Sequence, residues 1–254
     1  MKADYHYSEQ VLRKLKYSPE DIADIVKTIE AGKFSYMPKK EYDNGNSRWE
    51  DSTVKGIDIP TMWLPDNGEC RKTVLLLAQD PLRKEAYWEF CTNQSIDKVS
   101  NVIIGTPYAL HIKASNIKSG LNLNVGIYRE LIEQLISEAN CRVYCTDIFK
   151  YYPSDKQIGD FDINILKAEI ESVRPDVYVC MGNFAKKAIK EVGIADEKVV
   201  GTPHPRAFPK SWDKWRNANG LPKDNYKNDT IISNIIDCVK KKLQKYQNYK
   251  NTDL

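Results

Sequence analysis

Two apolar periods run along this chain. In the run Thr73-Val74-Leu75-Leu76-Leu77-Ala78 no polar residue alternates, which predicts a strand buried on both faces. Val102-Ile103-Ile104 is a shorter candidate, and Arg142 to Ile148, Asp176 to Met181 and Lys198 to Gly201 read as further strands. Elsewhere apolar residues recur at helical spacing. Ser18-Pro19-Glu20-Asp21 reads as a helix start, with Ser18 as N-cap, ahead of Ile22, Ile25, Val26 and Ile29. Ile127, Leu131, Leu135 and Ile136 share one face of a helix over 124–139. Helices are also expected over 161–173, 183–192 and 229–246, the last turning Ile231, Ile232, Ile235, Ile236, Val239 and Leu243 inward. Alternating strands and helices predict an α/β fold, a mostly parallel sheet covered on both faces. The chain reads as one domain: an N-terminal helical and irregular extension over 1–70, then an α/β core over 70–245. Within the extension, 34–70 is rich in Gly, Asn, Asp and Pro and reads as an irregular connection.

Composition narrows the class. At 254 residues the chain can bury a core without disulfide or metal staples. Its 41% hydrophobic and 29% charged content is that of a globular protein, and a net charge of +3 leaves any nucleic-acid argument to local clusters. Of six cysteines, Cys141 and Cys145 form the one close pair, and no second pair stands near enough to complete a metal set, so reduced structural thiols are expected. MKADYHYSEQ has no apolar signal region and no stretch reaches the ~18 apolar residues of a membrane span. The expectation is a soluble, cytoplasmic monomer without metal or cofactor.

Ligands of open α/β sheets bind beyond the C-terminal ends of the strands. Three such ends carry chemistry. After the first strand comes Gln79-Asp80-Pro81-Leu82-Arg83, where Asp80 is either a helix N-cap or a carboxylate that orients a water. After the second come Thr146 and Asp147. After the last comes Gly201-Thr202-Pro203-His204-Pro205-Arg206, in which two prolines stiffen the backbone around one of the chain's three histidines.

Together these segments resemble the uracil-DNA glycosylase superfamily. Val74-Leu75-Leu76-Leu77-Ala78-Gln79-Asp80-Pro81 is similar to its first motif, an apolar strand ending in Gly-Gln-Asp-Pro-Tyr-His, and His204-Pro205-Arg206-Ala207-Phe208 to its second, His-Pro-Ser-Pro-Leu. Val177 to Lys187 is similar to the strand, glycine and helix between them, and the likeness spans roughly 70–245. It implies a three-layer sandwich with a central, mostly parallel four-stranded sheet flanked by helices. It also implies base flipping out of DNA and hydrolysis of the N-glycosidic bond without a lysine nucleophile. Asp80 would then stabilise the sugar cation and hold the water, while His204 meets the anion developing on the pyrimidine O2. Gln79 would line the pocket through its backbone N–H.

Departures from the family pattern concern the base. Leu82 stands where the uracil enzymes carry a tyrosine that excludes a C5 methyl, so the C5 side is open. Thr146 falls at the place of their base-reading asparagine and cannot make both amide contacts. Asp147 beside it either accepts from the N4 amino group of cytosine or ends the strand as a cap. Tyr108 is the candidate stacking aromatic. Phe208 is either the wedge that fills the vacated stack or packed core. Arg206, Lys210, Lys214 and Arg216, interleaved with Trp212 and Trp215, read as phosphate contacts or as a solvated loop anchored by its tryptophans. The basic residues from Lys240 onward read as a solvated helix face.

The reading is a monofunctional DNA glycosylase acting on a modified pyrimidine, such as hydroxymethylated or glucosylated cytosine, in defence against phages that carry such bases. Ordinary uracil excision, a DNA-binding module without catalysis, and a glycosidase of free nucleosides are the alternatives.

Overall fold

The apolar run at Lys72–Ala78 is the axis of the sheet, and Val74, Leu75, Leu76 and Leu77 on it are fully buried. In chain order the strands are β1 (Lys2–Asp4), β2 (Tyr36–Pro38), β3 (Gly56–Ile57), β4 (Thr61–Leu64), β5 (Lys72–Ala78), β6 (Asn101–Ile104), β7 (Cys141–Asp147), β8 (Tyr151–Tyr152), β9 (Val177–Met181) and β10 (Val199–Thr202). The helices are α1 (Pro19–Glu30), α2 (Val125–Ala139), α3 (Asp160–Val173), α4 (Asn183–Val192), α5 (Pro209–Ala218) and α6 (Asn228–Thr252). The computed structural model describes residues 2–4, 9, 12–13, 17–30, 36–38, 56–67, 69–70, 72–79, 101–104, 125–152, 160–205, 207–221 and 228–252.

The main sheet runs β1-β4-β7-β5-β9-β10. Four adjacent strands, β7-β5-β9-β10, are parallel and end at the β10 edge, while β4 and β1 continue the sheet with antiparallel pairings beyond β7. Side chains alternate along each strand. Val74, Leu76, Val143, Cys145, Val177, Val179 and Met181 face one way, into a core shared with α2, α5 and α6. Leu75, Leu77, Tyr144, Tyr178 and Cys180 face the other, against α3 and α4. This is the expected three-layer arrangement, with four adjacent parallel strands forming one side of a sheet of six.

The expectation of a helical and irregular extension over 1–70 is corrected. β1 and β4 join the main sheet, and β2 and β3 join a second sheet of order β2-β6-β3-β8. Two- to four-residue strands are too short to show a period, and their pairing is set by partners far along the chain. The strand expected around Val102 forms, but in this second sheet. At α1 the start signal operates as a reciprocal cap: the Asp21 N–H donates to Ser18 Oγ at 3.1 Å and the Ser18 N–H to Asp21 Oδ2 at 3.3 Å. None of the helices searched, within the described residues, is long and apolar enough to cross a membrane.

Because β5 is covered on both faces, truncation at its centre leaves a cavity that neither helical layer can close. Leu76→Ala is expected to lower the free energy of unfolding by ~2–5 kcal/mol in urea titration. A loss under ~1 kcal/mol would show that the sheet centre is not close-packed.

Candidate active site

The parallel strands end level with one another. Leu77 pairs with Thr146 and with Cys180, Ala78 with Asp147, and Met181 with Thr202. Backbone bonds carry the alignment past the strand ends. Ile148 N–H donates to Ala78 O at 3.1 Å, Phe149 N–H to Gln79 O at 3.0 Å, and Gly182 N–H to Thr202 O at 3.0 Å. The residue before Asp80 is therefore tied to the chain leaving β7, and the turn after β9 to the end of β10.

His204 sits on this edge, two residues past β10, with its side chain exposed. Its carbonyl accepts the Ala207 N–H at 2.7 Å, closing a turn around Pro205. Gly182 faces it across the edge at φ +92°, a conformation that favours glycine, and a Cβ placed there would lie 3.5 Å from His204 Cβ. The glycine thus lets β9 turn into α4 close beside the histidine. Trp215 of α5 donates from Nε1 to Gly201 O at 2.6 Å and holds the following helix against β10.

Alternation separates Thr146 from Asp147. Asp147 falls on the Val143 and Cys145 face of the sheet, the same face as Ala78, and is buried. Thr146 falls on the α3 face, fully buried, with its hydroxyl inside a polar cluster. That hydroxyl lies 3.0 Å from Asp58 Oδ2 and 2.9 Å from Glu169 Oε1, with one proton to give, and accepts from Lys150 Nζ at 2.7 Å. The base-reading place assigned to Thr146 is corrected accordingly: its one hydroxyl is engaged by the cluster, away from Asp147's face.

The cluster itself is absent from the sequence reading. Lys150 Nζ lies 3.1 Å from Asp58 Oδ2, 2.8 Å from Glu169 Oε2 and 2.7 Å from the Asp147 carbonyl. Asp58 Oδ2 also accepts the Asp147 N–H at 2.9 Å, and Tyr144 Oη donates to Glu169 Oε1 at 2.7 Å. A Lys four positions after a Thr carries no recognisable motif, and the carboxylates that join them are Asp58, 88 residues before Thr146 and 92 before Lys150, and Glu169 of α3. Lys150 has no exposed side-chain surface, which removes it as a nucleophile toward DNA.

Beyond His204, Phe208 is 83% exposed, so its packed-core alternative is excluded. Lys210 and Lys214 on α5 are exposed as well. Trp212 and Trp215 are buried and meet edge to face with centroids 5.6 Å apart. Arg216 is corrected: it is 2% exposed and bonded to Asp213 Oδ1 at 2.6 Å, so it supports α5 from within and is closed to a phosphate. Pro209 opens that helix, and the segment is neither a solvated loop nor wholly basic surface. Asp80, Leu82, Tyr108 and Arg206 lie outside the described residues.

The described thiols are free, and burial pushes those of Cys141 and Cys180 up to about 12, far from the thiolate form. Among the described residues no group of His, Cys, Asp or Glu could hold a metal ion.

Burial also raises the Asp58 carboxyl to about 6; the Glu169 charge adds to this, and Lys150 and the Asp147 N–H oppose it. Burial works against the Lys150 ammonium, but Glu169 and Asp58 overcome it and hold that group above the usual lysine range. Asp58 ionises near 3.8 when unfolded and about 6 when folded. Between those values the folded chain binds the extra proton, so this group's contribution to stability is present at low pH and falls as pH rises through the window. The difference in unfolding free energy between wild type and Asp58→Asn is therefore expected to shift against wild type from about pH 4 to 6 and to be flat above. A difference that moves the opposite way in denaturant titrations across that range would refute this assignment.

A model of the Uracil DNA glycosylase superfamily matches residues 65–231, well over half of the chain. No curated protein matches. The match runs from just after β4 into the start of α6 and takes in all four parallel strands and the edge that carries Gln79, Asp147 and His204: the chain belongs to the uracil DNA glycosylase superfamily.

Proposed function

We propose that this chain is a monofunctional DNA glycosylase that hydrolyses the N-glycosidic bond of a flipped pyrimidine nucleotide, with Asp80 and His204 as its catalytic residues. The observation that carries the reading is the exposed His204 at the sheet edge, beside Gly182 and on the same edge as Gln79. β5 and β10 are two strand spacings apart, roughly 10 Å. That gap suits a nucleoside held with its sugar toward the Asp80 segment and its base toward His204. Charge separates as the bond breaks, positive on the sugar and negative on the base. A carboxylate under the first and a donor against the second stabilise the transition state more than the ground state. Phe208, with Lys210 and Lys214 behind it, is the natural wedge and phosphate contact on the strand next to the flipped base.

For the base, the proposal is a modified cytosine with a bulky C5 group. Leu82 leaves the C5 side without the tyrosine of the uracil enzymes. The Thr146 hydroxyl is taken up by the cluster around Lys150, so no amide stands there to read O4 and N3 of uracil. Asp147, on the Ala78 face and 1% exposed, is the carboxylate that the N4 amino group of a flipped cytosine would have to reach. Removal of hydroxymethylated or glucosylated cytosine would serve defence against phages whose DNA carries those bases.

The test is base release from matched oligonucleotides containing uracil, thymine, 5-hydroxymethylcytosine or its glucosylated form, followed by alkaline cleavage of any abasic site. Wild type is expected to cleave a substituted cytosine substrate. Asp80→Asn and His204→Ala should each lower the rate by about 10²–10³-fold while keeping DNA affinity. Efficient release of uracil with none of the substituted cytosines would overturn the base assignment. DNA binding without release of any base would overturn the enzyme in favour of a binding module.

A further inference from the structure

The buried cluster occupies a particular place in the chain. Asp58 lies between β3 of the second sheet and β4 of the main sheet, and Lys150 between β7 of the main sheet and β8 of the second. Two of the crossings from sheet to sheet, β3 to β4 and β7 to β8, therefore pass through this pair. The pair is joined twice, by the Asp58 N–H to Lys150 O bond at 2.8 Å and by the ion pair at 3.1 Å. Between them the two side chains hold the Asp147 backbone at both ends: Asp58 Oδ2 accepts its N–H at 2.9 Å and Lys150 Nζ donates to its carbonyl at 2.7 Å. The next two residues, Ile148 and Phe149, are those that bond to Ala78 and Gln79. Asp58 precedes the segment matched by the superfamily model, so this clamp is built partly from outside the matched core.

We propose that Asp58 and Lys150 are positioning residues for the glycosylase reaction, fixing the β7 end so that Asp147 and Gln79, the residue before Asp80, are held in register with the β10 end that carries His204. The proposal rests on the glycosylase reading above. Neither residue touches substrate, since both are fully buried. They act through the backbone: if the peptide around Asp147 shifts, the Phe149 to Gln79 bond shifts with it, and the group before Asp80 moves. Reacting groups tolerate little of this, because a displacement of about 1 Å can cost about 10²-fold in rate. Glu169 differs in role. It balances the Lys150 charge and engages the Thr146 and Tyr144 hydroxyls, without a bond to the Asp147 backbone among those the structure gives.

That difference separates positioning from plain support of the fold. The full-length chain and its Asp58→Ala, Asp58→Asn and Glu169→Gln variants are compared in single-turnover base release at saturating oligonucleotide, with thermal midpoint and DNA affinity measured on the same samples. Both Asp58→Ala and Glu169→Gln should lower the midpoint. Asp58→Ala should also lower the single-turnover rate per folded molecule by about 10–100-fold with DNA affinity within about twofold, whereas Glu169→Gln should keep its rate within about threefold. Asp58→Asn, which keeps an acceptor oxygen for the Asp147 N–H, should recover part of the rate. Should Asp58→Ala fail to fold, the contrast between Asp58→Asn and Glu169→Gln carries the same test, with the larger rate loss expected in the former. Equal rate losses in Asp58 and Glu169 variants, or unchanged rates at Asp58, would overturn positioning while leaving the glycosylase intact. Wild type that releases no base from any substrate would overturn both, and that result is seen before any variant is made.

Discussion

A lysine ammonium with no access to water sits where the two sheets of this protein meet. Burying such a charge is costly unless every N–H finds an acceptor and the charge finds a counterion. Lys150 meets both requirements with four oxygens, from Asp58, Glu169, Thr146 and the Asp147 carbonyl. The acceptors come from the approach to β4, from α3 and from the end of β7, so they can surround the lysine only when all three pack together. A buried ion pair is weak evidence of stability in itself, since an apolar replacement of similar shape often does as well. Its strength here is specificity: an incomplete cluster strands a charge, so other placements of the β7 end are penalised.

From that joint the rest of the edge follows. β5 takes its register from β7 over seven residue pairs, and the bonds from Ile148 and Phe149 extend the pairing through Gln79. On the other side of β5 the chain uses different means. Gly182 supplies a backbone conformation that other residues adopt at a cost, which brings the β9 turn close beside His204. Trp215 then ties α5 to Gly201, and Arg216, paired with Asp213 inside the structure, steadies the same helix. The exposed Phe208, Lys210 and Lys214 are thus presented on a helix whose other face is buried.

How much of this was legible in the sequence divides along a physical line. The strands of the parallel core announced themselves because burial on both faces forbids polar alternates, and α2 and α6 because an apolar stripe must repeat at the helical period. His204 stood out through its flanking prolines. β1, β3 and β4 did not, since strands of two to four residues have no period and exist through partners supplied by other parts of the chain. Arg216 was misread for a related reason: a basic residue among tryptophans looks alike whether it faces solvent or the core, and its Asp213 partner three residues earlier shows its meaning only on the helix. The Asp58, Lys150 and Glu169 cluster was out of reach altogether, because nothing local relates residues 92 positions apart.

Thr146 and Asp147 show how the one-residue alternation of a strand decides chemistry. Neighbouring residues on β7 face opposite sides, so a single strand end cannot offer both to the same ligand. Structure requires one of them on the α3 face, where the cluster needs a small hydroxyl that can accept from the ammonium and donate to a carboxylate. Threonine meets that demand with its one hydroxyl. The other residue is then the one left to the Ala78 face. On the proposed reading, the constraint that welds the two sheets is therefore also what changes the base-reading group from an amide, which pairs with uracil, to a carboxylate, which pairs with an amino group.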